Sequence, residues 1–220
     1  MPGADEGGYS PAVLRELLGE ARAAGFLGPG PIEPQIRHAE GFGAIARRLA
    51  PAGHTNLVDL GSGGGLPGLV VADGWPQASV ALLEANGRKA AFLRRAVDRL
   101  GLADRVTVLE VRAEDCGRQE GLRGGFDGVL ARSFGRPAVV AECAAPLLRV
   151  GGWLVVSEPP RTGPGTDEET RWPPAELCQL GLEPADMVHE DFEYRTLRQT
   201  APCPDRFPRR NGVPAKRPLF

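Results

Sequence analysis

The chain has 220 residues, enough for one domain with a substantial core. Its apolar content of 42%, charged content of 25% and net charge of −2 are typical of a globular protein and argue against one that coats nucleic acid indiscriminately. No apolar run approaches the roughly 20 residues that span a bilayer, and the acidic start MPGADEGGYS is unlike a secretory signal. Four scattered cysteines without a C-x-x-C pair predict neither a metal site nor disulfides. We therefore expect a cytoplasmic protein with no membrane partner and no metal.

The amino-terminal part is predicted to be helical. Residues 1–10 are expected to be disordered. Ser10 as the N-cap and Pro11 as the first helical residue begin a helix through AVLRELLGEARAAGFL, whose apolar residues recur on one face. After a break at 28–34, QIRHAEGFGAIARRLA predicts a second helix ending near Pro51. Residues 11–52 thus form a small helical section.

From residue 53 to residue 200 the pattern alternates between strands and helices. Strands are predicted at LVDL (57–60), SVALLEA (79–85), VTVLEV (106–111), FDGVLAR (126–132) and WLVVS (153–157). Helices are predicted over 67–72, 87–100 and 137–148, with Arg88 and Lys89 on a solvated face. This alternation predicts an α/β fold whose mostly parallel sheet carries helices on both faces. A short helix near 174–180, strands within 183–200 and a basic, proline-rich tail over 201–220 follow.

The stretch DLGSGGGLPG (59–68) joins the first strand to a helix through a glycine-rich turn. Such a turn presents bare backbone N–H groups and a partial positive charge, and glycine lets a ligand approach the backbone. Glu84 ends the second strand about twenty residues further on, where a carboxylate can accept hydrogen bonds from both hydroxyls of a ribose. Two ligands fit this pattern: a dinucleotide such as NAD, or S-adenosylmethionine.

Three features favour S-adenosylmethionine. Gly63-x-Gly65-x-x-Gly68 matches the dinucleotide fingerprint, but this match alone is weak. Asp59 adds a carboxylate that suits a ligand with an ammonium and a sulfonium and is unfavourable beside a pyrophosphate. Pro67 removes an N–H donor that a pyrophosphate would use, and too few residues follow the sheet for a separate substrate domain. NAD, or a structural turn without a ligand, is the alternative.

Several segments together carry a family resemblance: DLGSGGGLPG, LLEANGRKAAFLRRAVDRLGL, VRAED, FDGVLARS, LLRVGGWLVVS and the tail FPRRNGVPAKRPL. They resemble the small-subunit (16S) rRNA guanine-N7 methyltransferases, also called glucose-inhibited division protein B. The resemblance covers roughly 35–158 and 206–219. It implies a class I methyltransferase fold with a Rossmann-like sheet, S-adenosylmethionine as cofactor, and RNA (16S rRNA or the small ribosomal subunit) as partner.

The resemblance also implies roles for individual residues. The methionine part of the cofactor would lie against the glycine turn, the ribose against Glu84, and the adenine against the loop after the third strand. The predicted cofactor site comprises Asp59, Gly61, Ser62, Gly63, Leu66, Glu84, Ala85, Asn86, Arg112, Ala113, Glu114 and Arg132. The candidate catalytic residues are Arg132, at the end of the fourth strand, with Arg37 and His38 before the sheet. The alternatives are a surface ion pair for Arg132, a packed imidazole for His38 and a solvated loop acid for Glu114.

The tail carries five cations against a single nearby acid, Asp205. The predicted RNA-binding residues are Arg206, Arg209, Arg210, Lys216 and Arg217. Prolines are expected to hold this segment extended, so that its charges follow an RNA backbone with an affinity that falls as salt rises. The alternative is a basic tail packed on the domain's own acids.

The predicted reaction requires no general base, because guanine N7 has an in-plane lone pair that is unprotonated at neutral pH. Alignment and a desolvated approach are sufficient. The segment after the fourth strand lacks the Asn/Asp-Pro-Pro-aromatic set that binds an exocyclic amine. Cys116 and Cys143 lie in no Pro-Cys context that would suggest a covalent nucleophile.

Two departures from the family pattern lie on the substrate side. Ala39-Glu40-Gly41-Phe42 stands where the family has an Asp-Ser pair, and Ser157-Glu158 stands where it has Lys-Gly. A glutamate in place of that lysine is expected to repel a polyanion. Two other functions therefore stay open: a small-molecule methyltransferase on the same scaffold, and a relative that binds cofactor or RNA without catalysis.

Overall fold

The computed structural model describes residues 11–50, 52–159, 171–189 and 191–220. The predicted disordered start and the Ser10 cap lie outside these ranges. Two helices, α1 (Pro11–Ala23) and α2 (Ile32–Leu49), precede the sheet as predicted. Helix α2 begins at Ile32 rather than at 35, because Pro34 lies in its first turn, where the missing N–H would have no partner within the helix.

Seven strands form one sheet in the order β3-β2-β1-β4-β5-β7-β6. The strands are β1 (Thr55–Leu60), β2 (Ala78–Leu83), β3 (Val106–Leu109), β4 (Phe126–Ala131), β5 (Leu148–Glu158), β6 (Leu182–His189) and β7 (Glu193–Gln199). The first five strands are parallel, and β7 runs antiparallel to both β5 and β6. This arrangement confirms the predicted α/β class with a mostly parallel sheet.

The remaining helices are short, apart from α4. They are α3 (Gly68–Gly74), α4 (Gly87–Arg99), α5 (Ala113–Cys116), α6 (Pro137–Ala144), α7 (Pro174–Cys178) and α8 (Val213–Lys216). The helix predicted over 137–148 ends at Ala144, and Pro146 follows in a single 3₁₀ turn. None of the helices in the described ranges is long and apolar enough to cross a bilayer.

A separate hydrophobic core covers each face of the sheet. On one face, side chains of α1 to α4 such as Phe42 and Phe92 pack on Leu82 and other strand residues. On the other face, α5, α6 and α7 pack on strand residues that include Leu154. Because β1 has β2 on one side and β4 on the other, the sheet changes direction of winding at β1. Ligands of open α/β sheets bind at the carboxyl edge of such a switch point.

The carboxyl-terminal segment is not extended, and this prediction is wrong. Phe207 and Pro208 are buried and α8 ends the fold. Arg123 donates hydrogen bonds to the carbonyl oxygens of Cys203 (2.7 Å) and Phe207 (2.8 Å), and thereby draws the segment onto the domain. Proline restricts the backbone, but these side-chain contacts from elsewhere in the sequence decide its path.

Candidate functional site

The glycine-rich turn is fixed across the ends of β1 and β2. The N–H groups of Gly61 and Ser62 donate to the carbonyl oxygen of Leu83 at 2.9 and 3.0 Å. Gly61 has a φ of +75°, and a Cβ there would lie 2.5 Å from the ring of Phe134. Only glycine satisfies both conditions, so the turn keeps its backbone bare at the carboxyl edge of the sheet.

Glu84 lies directly after β2 and is nearly buried. Its carboxylate accepts hydrogen bonds from the N–H of Gly63 (3.0 Å) and of Asn86 (2.8 Å). A carboxylate offers about four acceptor positions, so Glu84 can still receive two hydroxyls. Asn86 is the N-cap of α4, since its Oδ1 accepts from the N–H groups of Arg88 and Lys89. Glu84, the predicted acceptor of the ribose hydroxyls, is thus fixed beside the turn. Asn86 instead caps helix α4.

Asp59, near the end of β1, is a buried acid with only one of its two carboxylate oxygens hydrogen-bonded. Its Oδ2 accepts from the N–H of Gly68 at 3.0 Å, and its Oδ1 has no hydrogen-bond partner in the described part of the chain. Burial raises the pKa of Asp59 to about 7, although hydrogen bonds and the charge of Arg132 oppose the shift. An unpartnered carboxylate oxygen fits a ligand that brings a positive charge, such as an amino-acid ammonium group.

A cavity of about 250 Å³ lies beside the turn. The structure brings together around it five of the predicted residues: Gly61, Ser62, Gly63, Leu66 and Arg132. Seven further residues complete the lining: Phe26, Leu27, Gly28, Gln35, Gly64, Lys89 and Ser133. Lys89 therefore borders the cavity rather than only a solvated helix face. The connection between α1 and α2 forms one wall of this cavity, although its sequence contains no motif that indicates such a role.

Arg132 is anchored at the end of β4. Its Nη2 donates to Gln35 Oε1 of α2 at 3.1 Å, and burial lowers its pKa. The next residue, Ser133, has a φ of 54°, a backbone conformation that costs an L-residue about 1–2 kcal/mol. Arg132 is thus a fixed cation at the cavity and not a surface arginine, and the backbone is strained at the same place. Neither Gln35 nor Ser133 had a signal in the sequence.

His38 packs among aromatic rings. It stacks on Phe192 with the ring centroids 4.5 Å apart, and Tyr194 Oη donates to the carbonyl oxygen of His38 at 2.7 Å. Burial, followed by the charge of Arg132, lowers the pKa of His38 to about 4. The imidazole is therefore neutral at pH 7 and cannot act there as a proton donor in its charged form. Arg37 is exposed and lines a different depression, of about 460 Å³, on the other side of α2.

The first departure from the family pattern has a packing explanation. A Cβ at Gly41 would overlap the hydroxyl of Tyr194, which is fully buried. Phe42, the next residue, meets the Tyr194 ring edge to face at 5.0 Å. Gly41 and Phe42 thus form the surface against which the Tyr194 side chain packs.

In the second departure from the family pattern, the charge of Glu158 is neutralised by another residue of the chain. Glu158 accepts hydrogen bonds from Arg171 Nε (2.7 Å) and from Trp172 Nε1 (2.6 Å), and its side chain is almost completely buried. The sequence predicted that this glutamate repels a polyanion. Because Arg171 compensates its charge, that repulsion is largely removed.

The loop after β3 is joined to the carboxyl-terminal segment. Glu114 Oε1 accepts from the N–H of Gly212 at 2.8 Å, and Arg112 pairs with Glu114 at 3.4 Å. Burial raises the pKa of Glu114, but the hydrogen bonds from Gly212 and Arg112 outweigh it, and the net pKa is lowered. Glu114 is thus no solvated loop acid.

The five cations of the tail have different surroundings. Arg209 forms a two-pronged ion pair with the fully buried Glu142, at 2.8 and 2.6 Å. Arg209 is thus packed on an acid of the domain, which was the alternative interpretation of the basic tail. The other four cations are exposed: Arg206, Arg210, Lys216 and Arg217.

Comparison with known proteins agrees with this geometry. Residues 45–158, just over half of the chain, match the family model of rRNA small subunit methyltransferase G. The chain belongs to this family. The protein of that name from Prochlorococcus marinus (strain MIT 9303) is 39% identical over 165 residues, which cover 74% of this chain and 67% of the relative. The one from Chloroflexus aggregans is 41% identical over 178 residues, covering 78% and 71%.

Solved structures share the fold. An O-methyltransferase from Bacillus cereus in complex with SAH superimposes with a TM-score of 0.62 at 19% identity, covering 86% of this chain and 90% of that one. The predicted family and the prediction of an S-adenosylmethionine-dependent methyltransferase are confirmed. In the ranges that the structure describes, no three His, Cys, Asp or Glu side chains come together as metal ligands.

Proposed function

We propose that this protein transfers a methyl group from S-adenosylmethionine to N7 of a guanine in 16S rRNA, in the cytoplasm. The observation that carries this proposal is the joint placement of the bare turn at Gly61–Gly63, the buried acid Glu84 and the cation Arg132 at one edge of the sheet. Membership of the rRNA small subunit methyltransferase G family supports RNA as the substrate class.

In this proposal the residues of the chain bind and orient both reactants. Bound S-adenosylmethionine supplies an electrophilic methyl group on a sulfonium. Asp59 would accept the ammonium of its methionine part, Glu84 its ribose hydroxyls, and the loop Arg112–Glu114 would border its adenine. Leu66, which lines the cavity, and Ala85, which follows Glu84, would add further contacts to the cofactor.

The residues on the substrate side would act by orienting the RNA and by attracting it electrostatically. Guanine N7 needs no proton removed, and the neutral His38 suits a reaction without a general base. Arg132 and Lys89 would attract the RNA backbone toward the cavity, as would Arg37 from the neighbouring depression. The exposed cations of the tail would add a contact that weakens with salt, while Arg209 contributes through the fold.

A labelling experiment tests the proposal. Purified protein is incubated with S-adenosylmethionine carrying a labelled methyl group and with either small ribosomal subunits or naked 16S rRNA that lack the modification. We expect label in one guanine, and strand cleavage chemistry specific for 7-methylguanine locates it. Absence of label from every RNA, with S-adenosylhomocysteine still bound, would support a non-catalytic relative instead.

A small-molecule substrate is the second candidate, and the lining of the cavity speaks against it. The two cations at the cavity, Arg132 and Lys89, favour a polyanionic substrate such as RNA over an uncharged small molecule. Label recovered in a low-molecular-weight fraction of a cell extract, and not in RNA, would reverse this preference.

A further inference from the structure

The loop between β3 and α5 begins beside the proposed ribose site. The N–H of Glu84 donates to the carbonyl oxygen of Leu109, the last residue of β3, at 3.0 Å. The next residues of the chain, 110–112, therefore leave the sheet directly next to Glu84. Any shift of this loop changes the space that borders a bound adenosyl group.

Helix α5, which ends the loop, is too short to fix its own position. It has four residues, and isolated helices shorter than about 12 residues are marginal in water. Two of its side chains, Glu114 and Asp115, are instead held by the carboxyl-terminal segment.

Residues 208–212 make these contacts in one continuous stretch. Asn211 Nδ2 donates to Asp115 Oδ2 at 2.6 Å, and the N–H of Gly212 donates to Glu114 at 2.8 Å. Arg118, one turn further on, donates to Asn211 Oδ1 (2.5 Å) and to the carbonyl oxygen of Arg209 (2.9 Å). The segment thus contacts α5 through Glu114 and Asp115, and through Arg118 it also contacts the residues that follow the helix.

The other end of this stretch is immobilised by a buried charge. Arg209 meets Glu142 of α6 through its guanidinium and also through its backbone N–H, at 2.9 Å. Because Glu142 is fully buried, breaking this pair would leave an uncompensated charge in the core. The segment therefore has a fixed position from which to hold α5.

We propose that Asn211 and Glu114 are positioning residues for the methyl donor. Through them the carboxyl-terminal segment sets the place of the loop between β3 and α5, and with it the affinity for the adenosyl group. This inference rests on the proposed cofactor site, but it needs no RNA.

Calorimetry on the full chain tests it, with S-adenosylhomocysteine and adenosine as separate ligands. In Asn211→Ala, we expect both ligands to bind about three- to tenfold more weakly, as the loss of one or two hydrogen bonds implies. The equal loss for adenosine is diagnostic, because a general loosening of the fold would also reduce binding of the methionine part. Asn211→Asp should bind still more weakly at pH 8, since it places a second carboxylate against Asp115.

Arg149→Ala is the matched control. It removes an ion pair with Asp127 (2.6 Å) that lies at the amino-terminal end of β4, away from the cavity. It should bind both ligands with the affinity of the unmodified protein. Unchanged affinity in a folded Asn211→Ala variant overturns the inference while the proposed function stands. An unmodified protein that binds no S-adenosylhomocysteine overturns both.

Discussion

Replacement of Asp59 by asparagine should abolish a pH dependence that the buried carboxyl imposes on the fold. Raising its pKa from 3.8 to about 7 costs the ionised form about 4 kcal/mol, at about 1.4 kcal/mol for each tenfold change in the ionisation constant. The folded state holds this proton more tightly than the unfolded state. The group's favourable contribution is therefore complete below about pH 4 and is lost as the pH rises to about 7.

Denaturant unfolding of both proteins at several pH values between 4 and 8 measures the effect. The variant carries a neutral amide at every pH. From pH 4 to pH 8, its free energy of unfolding should therefore increase relative to that of the unmodified protein by as much as about 4 kcal/mol. Other acids titrate in both proteins, and the difference between the two removes their contribution. A difference that stays constant with pH would refute the assignment of the raised pKa to Asp59.

The same substitution should act on ligand binding in the opposite sense. Ionised Asp59 can accept the ammonium group of S-adenosylhomocysteine, whereas an asparagine cannot neutralise it. We expect the affinity of the unmodified protein to rise between pH 6 and pH 8, and that of Asp59→Asn to be lower and flat. Calorimetry across this range separates the two curves.

Three further substitutions test separate parts of the structure. Glu84→Ala should weaken S-adenosylhomocysteine by about 1–3 kcal/mol through lost hydrogen bonds to the ribose; equal calorimetric affinities would remove Glu84 from the site. Arg209→Ala should lower the free energy of unfolding by about 3 kcal/mol because Glu142 is left as a buried unpaired charge. Adding Glu142→Gln should restore part of this stability, and a double variant that recovers none in denaturant unfolding would show that the unpaired charge is not the cause. Gly41→Ala should cost about 1–3 kcal/mol in thermal or denaturant unfolding because its methyl overlaps the Tyr194 hydroxyl, and a stability equal to that of the parent protein would show that the ring can move away.

The sequence signals for the predicted cofactor edge are local. A strand, a glycine turn and an acid after the next strand lie within 28 residues, and in the structure the two strands are neighbours, so that Asp59, Gly61 and Glu84 lie at the same edge of the sheet. The mostly parallel sheet follows from the βαβ alternation, whereas the order of its strands was not predicted. Element ends were less accurate, since they depend on single residues such as Pro34 and Pro146.

What the sequence did not predict depends on contacts between distant residues. Gln35 meets Arg132 across 97 positions, and Glu142 meets Arg209 across 67. No periodicity or motif encodes such pairs, so the tail was expected to be extended. The partners of Glu158 are only 13 and 14 positions away, but no pattern indicates that they bury and compensate its charge. The neutral state of His38 likewise results from burial among side chains of another element, Phe192 and Tyr194.

The pairing of Glu142 with Arg209 has a consequence for synthesis of the chain. Both cores contain residues that leave the ribosome well before position 209, and domains fold from their amino-terminal parts as synthesis proceeds. Until Arg209 emerges, the acid on α6 has no cation to meet and α5 has no anchor. The nascent protein should therefore stay incompletely closed on this face of the sheet, and should gain full protease resistance only when its final dozen residues become available.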